Sequence, residues 1–171
     1  MLSDKMQSAL NDQINAEFGA FYTYLSMSAY FEAENLPGFA AWMSNHSREE
    51  QVHAMKIYNF INERRGRVQL KALDAPKTSW DSIVSVFEDA LHHEQRVTGL
   101  INNLVDLAIT ENDHATHSFL KWFVDEQVEE EEIVDKVLQD LKRVGDSQLA
   151  IFMLDRELGA SVPVQAAEAE E

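Results

Sequence analysis

Cysteine is absent from the chain, and with it go disulfides, thiolate zinc sites and cysteine-held iron–sulfur clusters. Proline and glycine are scarce, at three and six in 171 residues, so little interrupts a helix. Basic residues are also few: 14 Lys and Arg stand against 30 Asp and Glu, for a net charge of −16. That balance argues against a nucleic-acid partner, because phosphate contacts need Lys and Arg. No apolar run approaches the ~18 residues of a membrane span. The N-terminal MLSDKMQSAL has no basic segment followed by an apolar one, so no secretory signal is expected. The expectation is a soluble cytoplasmic protein of one domain, its core supplied by 45% hydrophobic residues.

What is present is helical periodicity cut by a few breakers. Ser3 or Asp4 can cap a first helix that runs to about Asn35, where Leu-Pro-Gly ends it. Pro37 suits the first turn of a second helix, which reaches Arg64–Gly66. A third helix is expected from near Ser79–Asp81 to Glu111–His114, and a fourth from there to Gly145. A short amphipathic fifth piece follows over Ser147–Leu158. Residues 1–158 form the expected domain, and 159–171 are read as an acidic disordered tail. Between helices two and three lies Arg67–Trp80, which lacks helical period. Extended, it spans at most about 50 Å, against roughly 43 Å for a helix of about 29 residues. It is long enough to cross a bundle from end to end, so helices two and three should run parallel. The fold class is all-α: a four-helix bundle with one long crossover and a short C-terminal helix.

Read at alternating three- and four-residue steps, each helix shows a core stripe. Helix one gives Leu10, Ile14, Glu17, Phe21, Tyr24, Ser28 and Phe31; helix two gives Phe39, Met43, His46, Glu50, His53, Ile57 and Phe60. Helix three gives Phe87, Ala90, Glu94, Val97, Ile101, Leu104 and Ala108. Helix four gives Leu120, Phe123, Gln127, Glu130, Val134, Val137 and Leu141. Each apolar stripe is broken near its middle by a carboxylate. Hairpin turns near 35–36 and 112–113 bring Glu17 level with Glu50 and His53, and Glu94 level with Gln127 and Glu130. Four buried carboxylates would repel and would each cost several kcal/mol. Two divalent cations would neutralise them, and oxygen ligands with one imidazole suit iron or manganese. Glu50-x-x-His53 is the pattern of carboxylate-bridged di-iron bundles. One metal should then have Glu17, Glu50 and His53, and the other Glu50, Glu94 and Glu130, with Glu50 bridging.

The stretch DEQVEEEE, Asp125–Glu132, puts six carboxylates into eight residues in mid-helix. Pairs such as Asp125–Glu129 and Glu126–Glu130 repel by roughly 0.2–0.5 kcal/mol each on an isolated helix. The core stripe turns Glu130 inward and leaves Glu126 and Glu129 at its edge, where Glu49 also lies. These three are read as a looser third metal position sharing Glu130, and Asp125, Glu131 and Glu132 as a solvated face.

Glu17 with Tyr24, Arg-Glu-Glu-Gln-Val-His at 48–53, Glu94, and Trp-Phe-Val-Asp-Glu-Gln-Val-Glu-Glu at 122–130 resemble the non-haem ferritins of bacteria and archaea. The resemblance covers nearly all of residues 1–158. It implies a ferritin-like bundle for iron storage and detoxification. Its ferroxidase centre would oxidise Fe(II) to Fe(III) with O2 or peroxide, using Glu17, Glu50, His53, Glu94, Gln127 and Glu130. It also implies an adjoining third iron position at Glu49, Glu126 and Glu129. Family members are hollow homo-oligomeric shells, usually of twenty-four subunits, that hold ferric mineral. Bacterioferritins carry His where Glu130 stands and a haem-ligating Met where Val52 stands, so haem is not expected. Animal ferritins have acidic pore residues where this chain has His117 and Leu120.

Tyr24, one heptad from Glu17, is read as a core tyrosine or, beside a metal pair, as an electron donor or hydrogen-bonding group. Trp122 is read as packing or, less simply, as a redox residue. His46 is expected to be a hydrogen-bonded core residue, and His92, His93 and His114 to lie on the surface. Two rival readings remain at this level: a di-metal oxidase or manganese catalase, and a structural bundle whose polar layer sets register. The first would normally carry a second Glu-x-x-His, which Gln127-x-x-Glu130 does not supply.

Overall fold

A computed structural model of the chain describes residues 1–162. It contains five helices in the order α1 (Asp4–Ala33), α2 (Pro37–Glu63), α3 (Ile83–Thr110), α4 (His114–Val144) and α5 (Gln148–Ser161), with no strand among the described residues. The starts are made by side chains. Ser3 accepts from the Met6 N–H, Asp113 from the Thr116 N–H, and Ser82 and Ser85 form a reciprocal capping box. The box delays α3 to Ile83, later than the breakers alone suggested.

Three of the ends share one device. Asn35, Arg65 and Asn112 adopt φ of 57°, 58° and 55°. The following N–H of Leu36, Gly66 and Asp113 then reaches back to the carbonyl of Phe31, Ile61 and Ala108 at 3.0, 2.8 and 2.9 Å. This left-handed closure normally selects Gly or Asn, so Arg65 is the unusual member. The neighbouring Gly66 is small for another reason: a Cβ there would meet Gln7 and Ile61 at 2.9 Å.

The first hairpin, α1 and α2, packs against the second, α3 and α4: α1 lies along α3, and α2 meets α4 through pairs such as Phe60 and Phe119. The crossover runs along α1. Asn11 bonds the backbone of Arg67 and Gln69 near one end, and Ser26 donates to the Lys77 carbonyl near the other. Phe39 and Trp42 at the start of α2 meet Phe87 at the start of α3, so the two helices are parallel. Of the core-stripe positions read from the sequence, all are buried except Phe21, which is half-buried. The apolar core forms two clusters, one around Phe31, Phe39 and Phe87, the other around Leu10, Ile57 and Phe123. The acidic layer lies between them.

Two expectations need adjusting. His93 is buried rather than on the surface, its ring edge-on to Tyr24. The α5 helix runs past the expected boundary at 158 to Ser161, whose hydroxyl donates to the Leu158 carbonyl at 2.7 Å. Gly159 lies within α5 and allows close approach, since a Cβ would stand 3.1 Å from the Gly38 Cα. Residues 163–171, most of the expected tail, lie outside the described residues.

Candidate metal centre

All four helices of the bundle send acids into one layer. Glu17, Glu50, His53, Glu94, Gln127, Glu130 and Tyr24 are each at most 4% exposed. Burial of charge on this scale is unfavourable without partners, and few partners are supplied. Glu17 Oε2, Glu50 Oε2, Glu130 Oε2 and His46 Nδ1 have no hydrogen-bond partner.

The ligand atoms nonetheless converge. Glu17, Glu50 and His53 present theirs within 4.8 Å of one another, with His53 Nδ1 3.4 Å from Glu50 Oε2. A second group joins His46, Glu49 and Glu130. There, His46 Nδ1 lies 3.3 Å from Glu49 Oε2 and 3.2 Å from Glu130 Oε2. A third group joins His53, Glu126 and Glu130, with His53 Nε2 3.9 Å from Glu126 Oε1. Ligands held about 2.1 Å from one ion stand roughly 3.0–3.4 Å apart. The closer contacts match that spacing while lacking hydrogen-bond geometry, so the donor set suits a cation better than a proton.

Glu94 is arranged differently. Tyr24 donates its hydroxyl to Glu94 Oε1. Gln127 Nε2 approaches the other carboxylate oxygen and the Glu94 carbonyl, both at 3.3 Å. In this structure the Gln127 amide nitrogen therefore braces Glu94. Gln13, which sequence reading passed over, is buried and donates to Glu17 Oε1 at 2.9 Å. Its place one helical turn before Glu17 was the available signal. Among the residues expected at the third position, Glu49 and Glu126 fall into separate groups, and Glu129 is exposed and in neither. His46 joins Glu49 instead. It stood on the α2 stripe with Glu50 and His53, but only the facing α4 shows what it points at.

The electrostatics follow from burial. Burial pushes the Glu17 carboxyl well above its usual range, and the Glu50 charge adds to this. Glu50 is raised by burial and then by Glu94. Glu94 is pushed up to about 7 by burial, against the opposing Tyr24 hydrogen bond. The Tyr24 hydroxyl is itself raised, by burial and then by the Glu94 charge. A metal-free centre thus holds protons that cations would displace.

Comparison with known proteins agrees with this architecture. The family model described as a ferritin-like domain matches residues 7–144. The bacterial non-heme ferritin of Staphylococcus aureus strain USA300 is 43% identical over 160 residues, covering 94% of this chain and 96% of the relative. Its counterpart in Staphylococcus saprophyticus is 42% identical over 160 residues, with the same coverage. An open pore ferritin from the hyperthermophilic archaeon Archaeoglobus fulgidus superposes with a TM-score of 0.92 at 45% identity, covering 93% of this chain and 98% of that one. A buried acidic layer in a crossover bundle, a family match over most of the chain and relatives of this closeness make the chain a member of the ferritin family, akin to its non-haem bacterial and archaeal members.

Proposed function

We propose that the chain is an iron-storing ferroxidase, oxidising Fe(II) to Fe(III) at a di-iron centre and passing the product into a hollow homo-oligomeric shell of twenty-four subunits. The observation that carries this reading is the set of buried, unpartnered carboxylate oxygens on α1, α2 and α4 converging on one layer. Four carboxylates, Glu17, Glu50, Glu94 and Glu130, balance the charge of two Fe(II), and the hard oxygen ligands suit iron.

Glu17, Glu50 and His53 hold one substrate ion; Glu50, Glu94 and Glu130 hold the other, with Glu50 shared. Gln13 and Gln127 fix the carboxylates of Glu17 and Glu94. Oxidation raises the charge of the pair by two, which oxide or peroxide ligands derived from O2 offset. Protons displaced from the carboxylates leave as iron binds. A third iron position completes the reading. His46, Glu49 and Glu130 supply its ligands, Glu126 flanks it through His53, and the exposed Glu129 stands at its solvent side. Shared use of Glu130 gives product a way off the pair.

Shell assembly is supported by α5, which leaves Leu149, Phe152 and Met153 at 70%, 55% and 63% exposure in the single chain. Apolar surface of this kind calls for a partner, and copies of the same chain supply it. No helix among the described residues is long and apolar enough to cross a membrane.

The direct test is anaerobic titration with Fe(II) followed by exposure to O2. Saturation near three ions per chain, two at the pair and one at the third position, and rapid ferric absorbance are expected. A protein that binds no Fe(II), or binds it without oxidising it, would leave the polar layer as a structural feature only.

A further inference from the structure

Two oxidisable rings border the proposed iron pair, in opposite electrostatic settings. Tyr24 is buried beside the carboxylates and donates its hydroxyl to Glu94. Trp122, on α4, sets its ring edge-on to the His53 imidazole, with centroids 5.3 Å apart at 76°. Over that indole lies the Lys56 ammonium, 4.0 Å from the ring centroid. The pairs formed by Lys and Arg among the described residues leave Lys56 without a carboxylate within 4 Å. Among the described residues its charge is therefore not cancelled by a close ion pair, and it lies over the π face.

A cation over an aromatic face is attracted to the neutral ring's quadrupole. Removing an electron from the ring reverses this: the attraction becomes repulsion between two positive charges at short range. The contact thus stabilises reduced indole and opposes its oxidation. Tyr24 has the reverse situation. It can give up an electron together with its hydroxyl proton, which passes to Glu94 along the existing hydrogen bond.

We propose that Lys56 acts through Trp122 as a positioning residue, holding a charge on the indole so that it stays reduced and any side-chain electron comes from Tyr24. The inference rests on the ferroxidase reading above. Reduction of O2 to two waters takes four electrons: the Fe(II) pair supplies two, an Fe(II) at the position lined by His46, Glu49 and Glu130 supplies a third, and a neighbouring ring can supply the fourth. From Tyr24 the electron goes to the oxygen being reduced at the pair and the proton to Glu94, leaving a neutral phenoxyl radical. From Trp122 the electron would cross His53 to the same pair and leave an indole radical cation facing the ammonium. Lys56 disfavours the second route, and with it oxidative damage to a ring packed against His53.

The test is freeze-quench electron paramagnetic resonance on the assembled full-length protein. Three Fe(II) per chain are mixed with O2, in samples with natural and ring-deuterated tryptophan, so that indole and phenoxyl signals separate. Lys56→Met should raise the indole radical yield by about tenfold over wild type. The added signal should vanish in Lys56→Met/Trp122→Phe. Lys56→Arg, which keeps a cation over the ring, should stay at the wild-type yield. The first phase of Fe(II) oxidation should be equal in wild type, Lys56→Met and Lys56→Arg, since Lys56 is not a ligand. Unchanged indole yield in Lys56→Met, or a rise of equal size in Lys56→Arg, would overturn the role of Lys56. Failure of the wild-type protein to oxidise Fe(II) would overturn the ferroxidase reading itself, so the two failures are distinct.

Discussion

Asp155 on α5 caps the start of α2. Its Oδ1 accepts from the backbone N–H of Gly38 at 2.8 Å and of Phe39 at 3.0 Å. The local N-cap residue, Leu36, supplies no side-chain bond of its own, so the cap arrives from the far end of the chain. Both partners are buried, and a Cβ on Gly38 would stand 1.7 Å from the Asp155 carbonyl oxygen. Asp155→Ala should cost about 0.5–2 kcal/mol, the usual range for a lost helix cap. Asp155→Asn, which keeps an acceptor, should cost less. Gly38→Ala should push α5 off its seat and lower the melting temperature further than either. Calorimetry decides this; an unaltered melting curve for Asp155→Ala would show that the contact does not hold α5.

Ferroxidation should depend on the buried ligands and far less on the edge. Glu50→Ala and His53→Ala each remove a member of the group formed with Glu17, so rapid Fe(II) oxidation should be lost. Glu129→Ala, altering an exposed residue outside every group, should keep the fast first phase and slow later turnover. Stopped-flow absorbance gives the comparison. Wild-type initial rates in Glu50→Ala would refute the assignment.

His46 offers a finer distinction. His46→Ala should leave Glu17, Glu50 and His53 intact and so preserve the first oxidation event. It should weaken a third ion, because Glu49 and Glu130 lose the nitrogen that stands 3.3 and 3.2 Å from them. Anaerobic calorimetric titration should fall from three ions per chain to two. Three ions retained with unchanged affinity would remove His46 from the third position.

Metal-free protein should become less stable as pH rises. Glu94 has a folded pKa of about 7, above the ordinary carboxylate value, so the folded state holds its proton over a range where the unfolded chain has released it. Its contribution is fully present below about pH 4.3, the unfolded value, and is lost as pH rises through about 7. Glu17 and Glu50 are shifted in the same direction by burial. Glu94→Gln should therefore flatten the fall in melting temperature between pH 5 and 8 in metal-free protein. Zn(II), a redox-inert stand-in, should raise the wild-type melting temperature most at the upper end of that range, where fewer protons compete. Parallel slopes for the variant and wild type would exclude Glu94 as the titrating group.

Removing α5 should separate folding from assembly. Deleting residues 147–171 takes away the exposed Leu149, Phe152 and Met153 and also the Asp155 cap. The remaining bundle should still bind metal, with a lower melting temperature and a smaller or altered particle. Deleting 163–171, which spares the whole of α5, should leave particle size unchanged. Light scattering reads both; a full-sized particle without α5 would show that the helix is not needed for the shell.

Much of this was legible in the one-dimensional pattern. Breakers at Pro37, Gly66 and Gly145 marked the ends of elements because a backbone that cannot continue a helix declares itself locally. The three- and four-residue repeat identified the core because helical period alone decides which residues share a face. That a carboxylate interrupted each of the four stripes at one level pointed to metal, since buried like charges need a counterion whatever the exact packing. Other features depended on contacts between residues distant in sequence, and the local pattern carried no trace of them. Gly159 is a contact point with Gly38; His93 looked exposed and is covered by the approach of α1. His46 became a candidate ligand only when α4 brought Glu130 to within 3.2 Å, and the α2 cap was supplied by Asp155 only after α5 folded back. Helical period selects a face, but which groups meet across two faces is set by how the helices cross, and that is decided by packing the whole chain at once.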